Sequence, residues 1–295
     1  MKLLLVPCAI ALVMNSSRLQ AQQPGDTRAA IAKIAADAQG KVGVAVMNLE
    51  SGDTLSFNGT MRLPMQSVFK FPIAMAVLNE VDRGKLSLNK KVHVKKKELL
   101  VKIWSPLLEK YTTDEFDITI AELLLYTVSQ SDNNGCDILL KEIGGAKKVD
   151  GYIRSLGIKG MAIKASEKEM QSAWSVQYTN WCEPVAMIQL LKIFYQGKAL
   201  QKSSNDLLWK WMVETATGPE RIKGLLGKDV VVAHKTGTSG TNNDGITAAT
   251  NDVGIVVLGN NLHLAVAVFV SDAEANQSVR ENVIARIAQL VCDRK

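Results

Sequence analysis

The chain has little cysteine, little histidine and no long apolar run beyond its first residues. Four cysteines and three histidines in 295 residues leave few routes to a covalent staple or a metal centre. Cys8 falls in the leading apolar segment, and the remaining Cys136, Cys182 and Cys292 are odd in number and widely spaced. That is not a disulfide framework. His93, His234 and His263 form neither an HxxxH nor an HxH pattern, so no zinc site is expected, nor any other cofactor. No internal apolar stretch is long enough to span a bilayer, and no stable membrane association is expected. Internal repeats and low-complexity linkers are also missing, so the chain is not divided into independent domains. Net charge is only +6. The densest basic run, "KKVHVKKKELLVK", has no interleaved aromatics and reads as solvated surface rather than a nucleic-acid site.

What is present begins with a leader. Met1 and Lys2 precede "LLLVPCAIALVM" and then the polar "NSSRLQAQQ", the pattern of a secretory signal covering 1–21 with cleavage after Ala21. The remainder, 22–295, is long enough for one large domain or two interleaved subdomains. "DTRAAIAKIAADAQG" reads as a helix with Asp26 as a possible cap, and 41–59 as a hairpin turning at Gly52-Asp53. Helical patterns follow at 67–82, 119–128, 132–143, 145–156 and 183–195, then at 204–215 and 219–226. Three strands close the chain, "DVVVAHKTGTSG", "DVGIVVLGN" and "NLHLAVAVFVSD", the last two joined at Asn260-Asn261, and a final helix covers about 274–292. The expected class is α+β. An antiparallel sheet is built from both chain ends and flanked by helices (about 22–62 and 212–295), with an all-helical lobe between (about 63–211). The segment 164–182 lacks periodicity. A loop of that length in a compact protein is usually functional or disordered, and Trp174, Tyr178 and Trp181 favour a packed one.

Three short elements can carry chemistry. In "PMQSVFKFPIAM", Ser67 and Lys70 share one helix face, and a serine hydroxyl needs such a neighbouring base to become a nucleophile. The same spacing recurs at Ser87 and Lys90, in a polar stretch that reads as an exposed turn. In "SQSDNNGCD", Ser131-Asp132-Asn133 can aim a hydroxyl and an amide into a cleft; alternatively Asp132 or Asn133 caps the next helix. "KTGTSG" supplies Lys235, two hydroxyls on Thr236 and Thr238, and Gly237 for close approach; alternatively it is a plain strand-to-turn junction.

Ser67-x-x-Lys70, Ser131-Asp132-Asn133 and Lys235-Thr236-Gly237, in that order, form the motif set of class A β-lactamases and penicillin-binding proteins. Over essentially all of 22–295 the chain resembles the class A serine β-lactamases, in the cephalosporin-directed branch of the CblA, CfxA and PER type. The resemblance implies a helical lobe and a mixed lobe with the active site between them. It implies Ser67 as the acylated nucleophile, Lys70 as its partner amine and Ser131 as the proton relay to the departing nitrogen. Asn133 would touch the substrate's side-chain amide. Lys235, Thr236 and Thr238 would hold its carboxylate, and the backbone N–H groups of Ser67 and Thr238 would stabilise the oxyanion. Glu167 is implied as the water activator, with Glu169 as rival, and Gln171 as a further partner of that water. The family's loop-closing Arg–Asp pair is replaced by Ala165 and Asn180, so the loop is expected to be anchored differently, by its aromatics. Trp104 resembles the aromatic at the cleft mouth, with core packing as the alternative. Arg221 resembles a guanidinium supporting the carboxylate, with a surface helix charge as the alternative. The implied ligand is a small-molecule β-lactam, preferentially a cephalosporin, met by a periplasmic monomer. Alternative readings of the same motifs are a D-Ala-D-Ala carboxypeptidase and a β-lactam sensor domain that stays acylated.

Overall fold

A computed structural model describes residues 24–259 and 261–293; the expected leader at 1–21 and Asn260 of the expected turn lie outside the described residues. The main sheet takes one hairpin from the N-terminal end, β1 (Lys41–Asn48) and β2 (Thr54–Phe57). Three strands come from the C-terminal end, β8 (Val231–Thr238), β9 (Thr250–Leu258) and β10 (Leu262–Ser271). Their order is β2-β1-β10-β9-β8, and β1 pairs antiparallel with β10 from Lys41↔Ser271 to Asn48↔Leu264. β10 reads as an unbroken apolar run because both of its faces are covered. Val266, Val268 and Val270 join one core, with residues of α1 (Pro24–Ala36) and α10 (Gln277–Cys292), while Ala265, Ala267 and Phe269 join the other. Gly43 of β1 lets α8 (Pro184–Tyr195) approach: a Cβ there would lie 2.9 Å from Pro184 Cγ.

On that second face pack α2 (Lys70–Asp82), α4 (Ile120–Ser129), α5 (Asn133–Ile143), α6 (Ala146–Ser155), α8 and α9 (Lys202–Val213). α2 is their axis. Every residue from Lys70 to Leu78 is buried, and charge returns only at Glu80 and Asp82. Phe71 of α2 meets Phe194 of α8 edge to face, ring centroids 5.5 Å apart.

Several expectations need correction. The helix expected over 67–82 begins only at Lys70. Ser67 sits in a 3-10 turn, Gln66–Phe69, before α2, and Pro64 lies in the short strand β3 (Leu63–Pro64), paired with β7 (Trp181–Cys182). No helix forms over 219–226, which is a series of turns; Gly218 at φ +62° and the buried Arg221 bend it against the sheet. Helix α1 begins two residues before Asp26, which lies inside its first turn. The basic run holds β4 (Lys91–Lys95), paired antiparallel with β5 (Glu115–Thr119); Val94, Phe116 and Ile118 are buried on one face, while Lys91, His93, Glu115 and Asp117 face solvent on the other. Ser87 is exposed and its hydroxyl accepts from Asn89 N, so the second Ser-x-x-Lys is a turn. No helix among the described residues is long and apolar enough to cross a membrane.

Candidate active site

The site forms where β8, the 3-10 turn before α2, the α4–α5 junction and the 164–182 loop converge. Lys70 lies at its centre and is fully buried. Its ammonium donates to Ser67 Oγ (3.0 Å), to Ser131 O (2.8 Å) and to Asn133 Oδ1, and it pairs with Glu167 Oε1 at 2.9 Å. Burying such a charge is unfavourable unless it is paired and hydrogen-bonded, and here four acceptors from three segments of the chain surround it.

The turn that carries Ser67 is braced from two sides. Gly237 of β8 presses on it so closely that a Cβ would lie 2.3 Å from Met65 O. Asn251 of β9 donates its amide to Pro64 O (2.8 Å) and Met65 O (3.1 Å). Gln66, immediately before Ser67, is held at φ +47°, and Ser131 at φ +59°. Left-handed backbone is uncommon for such residues and concentrates at functional sites. Asp132 is the expected helix cap, accepting from Gly135 N at 2.7 Å. It also takes Leu107 N (2.7 Å) and both contacts of the Ser105 hydroxyl, so it binds α3 (Pro106–Lys110) to α5.

Lys235 is the second buried ammonium. It donates to Ser131 Oγ at 2.8 Å and to Thr236 O at 3.0 Å. Burial, with the Lys70 charge adding to it, pushes Lys235 well below the ordinary lysine range. Thr236 Oγ1 meets Thr217 Oγ1 at 2.6 Å, and Thr238 Oγ1 accepts from Arg221 Nη2 at 2.7 Å. Arg221 is not a surface helix charge. It is 3% exposed, its Nη1 donates to Gly237 O and Asn251 O, and Glu281 Oε1 lies 3.1 Å from its Nη2. Trp104 is not core either. Its ring is 59% exposed, with the indole N–H on Gln130 O at 2.8 Å. Together with Ser67, Ser131, Asn133, Thr236, Thr238 and Arg221 it lines a cleft of about 1100 Å³.

The loop separates the two candidate glutamates. One short helical turn, α7 (Glu167–Met170), carries both, and residues two apart on a helix do not share a face. Glu167 is buried against Lys70. Glu169 is exposed and closes a capping box with Ser166, accepting its N–H at 2.7 Å. Gln171 is exposed and is not among the residues lining the cleft. Asp137 accepts Glu167 N (2.7 Å) and Lys168 N (2.9 Å), and burial raises its carboxyl to about 6 against those two bonds. Its signal in the sequence was a place four residues after Asn133, on the same helix face. Asn251, and Gln177, whose side-chain oxygen accepts the Gln66 amide, had no such signal.

The loop is closed by one amide rather than by its aromatics alone. Buried Asn180 accepts Lys164 N (2.7 Å) and Ala165 N (2.9 Å) on Oδ1 and donates to Ala165 O (2.8 Å). The aromatics assist: Tyr178 OH donates to Asp272 at 2.5 Å, and Arg62 stacks 4.2 Å over Trp181.

Comparison with known proteins agrees over the whole of this frame. The model of the "Beta-lactamase enzyme family" matches residues 26–294. The extended-spectrum β-lactamase PER-1 of Pseudomonas aeruginosa is 48% identical over 248 residues, 84% of this chain and 80% of that protein. β-Lactamase VEB-1 of the same organism is 46% identical over 252 residues, 85% and 84% respectively. Among solved structures, a β-lactamase from Chitinophaga pinensis superposes with a TM-score of 0.89 at 57% identity, covering 91% of this chain and 98% of that one. The TLA-1 extended-spectrum β-lactamase superposes with a TM-score of 0.90 at 50% identity, over 92% and 99%. Family, fold and the ordered motifs thus converge, and the chain belongs to the class A β-lactamases, enzymes that hydrolyse the β-lactam amide.

Proposed function

We propose that the hydrolysis runs through an ester on Ser67 that a Glu167-activated water releases, with cephalosporins as the favoured substrates. One observation carries the reading: a single buried ammonium, Lys70, touches both the Ser67 hydroxyl and the Glu167 carboxylate. In acylation Ser67 Oγ bonds to the lactam carbonyl carbon, and its proton passes into the Lys70–Glu167 relay. The C–N bond breaks, and Ser131, its hydroxyl held by Lys235, hands a proton to the departing nitrogen. The N–H groups of Ser67 and Thr238 receive the oxyanion, where one donor is worth on the order of 10²–10³ in rate. In deacylation water adds to the ester carbonyl while Glu167 takes its proton; the bond from the acyl carbon to Ser67 Oγ then breaks, and Oγ recovers a proton through the Lys70–Glu167 relay. Glu167 Oε1 has no hydrogen-bond donor beyond its ion pair, so acceptor capacity remains for that water.

Lys235, Thr236, Thr238 and Arg221 hold the substrate's carboxylate, Gly237 gives its backbone room, Asn133 meets its side-chain amide and Trp104 covers the mouth. Gln171 is left out of this set. Cephalosporin preference is supported by the Arg221–Thr238 contact beside Ser239 and by relatives whose names describe them as extended-spectrum enzymes. The same reading takes 1–21 as a cleaved leader, 22–295 as the mature periplasmic domain, and the lobes as 22–62 with 212–295 and 63–211.

The test is turnover of a chromogenic cephalosporin with intact-protein mass measured alongside. The unaltered enzyme turns over. Ser67→Ala forms no adduct, and Glu167→Ala accumulates a long-lived one. A persistent adduct on the unaltered protein would make it a sensor, and release of D-alanine from cell-wall peptide without β-lactam turnover a carboxypeptidase. Normal turnover by Glu167→Ala with stalling of Glu169→Ala would move the water activator by two residues.

A further inference from the structure

His234 takes no part in the contacts around Ser67, yet it is fully buried beside an equally buried carboxylate. In the β8–β9 pairing Thr236 stands opposite Asp252 and His234 opposite Gly254, so His234, Thr236, Thr238 and Asp252 share one face of the sheet. The 217–224 turn packs on that face. His234 Nδ1 lies 2.9 Å from each oxygen of Asp252, and Asp252 Oδ2 accepts the backbone N–H of Ile222 at 3.1 Å. Gly254 leaves room for the imidazole: a Cβ there would lie 2.6 Å from His234 Cβ. Among the described residues the Nε2 atom has no hydrogen-bond partner, a cost that packing alone does not explain.

We propose that His234 and Asp252 are positioning residues for the carboxylate side of the cleft. The imidazole orients the Asp252 carboxylate. That carboxylate holds the Ile222 N–H, and the turn so fixed presents the adjoining Arg221 to Thr238 and to the substrate's carboxylate. The turn has no regular hydrogen-bond ladder of its own. Among the described residues its hydrogen-bonded ties to the sheet are this bond, the Thr217–Thr236 contact and Arg221 itself, beside the burial of the Ile222 side chain in the core under the sheet. A slackened turn therefore moves the guanidinium while leaving Ser67, Lys70 and Glu167 in place. The inference rests on the reading of Arg221 given above.

The test uses one cephalosporin as its free acid and as its methyl ester, with Asp252→Asn, His234→Gln and Arg221→Ala. For the first two variants KM for the acid is expected to rise roughly tenfold, the equivalent of one hydrogen bond to a charged group, with kcat nearly unchanged. The ester should be processed as by the unaltered enzyme. Equal losses on acid and ester, or a lowered melting temperature with an unchanged acid-to-ester ratio, overturn the inference. Should Asp252→Asn fail to fold, His234→Gln, which keeps the Asp252 carboxylate and its bond to Ile222 N but removes the imidazole that orients it, decides alone. An unchanged ratio in Arg221→Ala would instead refute the role given to Arg221.

Discussion

Replacing Asn180 by alanine removes the clasp of the loop that carries Glu167. Three bonds to backbone vanish, from Lys164 N, from Ala165 N and to Ala165 O. Lys164 is exposed, so water can serve its N–H, whereas Ala165 is 4% exposed and its two groups are left without partners. At about 1–3 kcal/mol for each buried orphan, the loss is about 3 kcal/mol. For a chain of this size that is roughly 6–12 °C in melting temperature. Ala165 lies two residues before Glu167, and a shift of about 1 Å in a catalytic group can cost on the order of a hundredfold. Acylation, which reads Ser67 and Lys70, should fall less than deacylation, so the variant should show a burst followed by a slow steady state. Stopped-flow turnover with mass detection of the adduct separates the two phases. Asn180→Asp sharpens the reasoning. An aspartate keeps both N–H acceptors but sets a second oxygen against Ala165 O, at the place where the amide now donates over 2.8 Å. It should be less stable than the unaltered enzyme at neutral pH and recover as the carboxyl is protonated. A variant Asn180→Ala with unaltered melting and no burst would refute the claim that this amide holds the loop.

Two further predictions concern pH. The Asp137 carboxyl is raised from 3.8 to about 6 by burial, so between those values the folded state binds more protons than the unfolded one. Stability should therefore fall as pH rises through that window, by at most about 3 kcal/mol for a shift of this size, and Asp137→Asn should flatten the melting-temperature profile between pH 4 and 6. Equal slopes for the two proteins would contradict it. Lys235 is pushed well below the ordinary lysine range, so its charge is present at low pH and lost first on the alkaline side. KM for an anionic cephalosporin should then rise with pH before any ordinary lysine titrates, while the methyl ester shows no such limb. Parallel limbs for acid and ester would place the titration elsewhere.

Much of the fold was legible in the chain. The periods of α2, α4, α5, α6 and α8 located those helices within a residue or two of their observed bounds, apart from the 3-10 turn that precedes α2. A tight turn at Gly52-Asp53 and three late apolar runs located the sheet from both ends. What escaped was structure without period. The two-residue strands β3 and β7 are too short to alternate. The turns over 219–226 imitate a helix because Ile222 and Leu226 fall four apart while facing the sheet. At the site, Ser67, Lys70, Ser131, Asn133 and Lys235 stood out only because three local motifs occur together in the order of a known family; each motif alone also fitted an ordinary helix, cap or turn.

The chain by itself therefore determined the order of elements and the local motifs. Both depend on neighbours within a helical turn or a strand pleat, and backbone geometry settles those contacts wherever the segment ends up. Only the tertiary structure decided which groups share a charge. Lys70 finds acceptors 3, 61, 63 and 97 residues away in sequence, and Glu167 rather than Glu169 meets it because α7 turns one carboxylate inward and the other toward solvent. It likewise decided that an asparagine closes the loop and that a buried His–Asp pair joins β8 to β9. Such contacts obey the need to satisfy every buried polar atom, and no single segment can register that need before the others have packed around it.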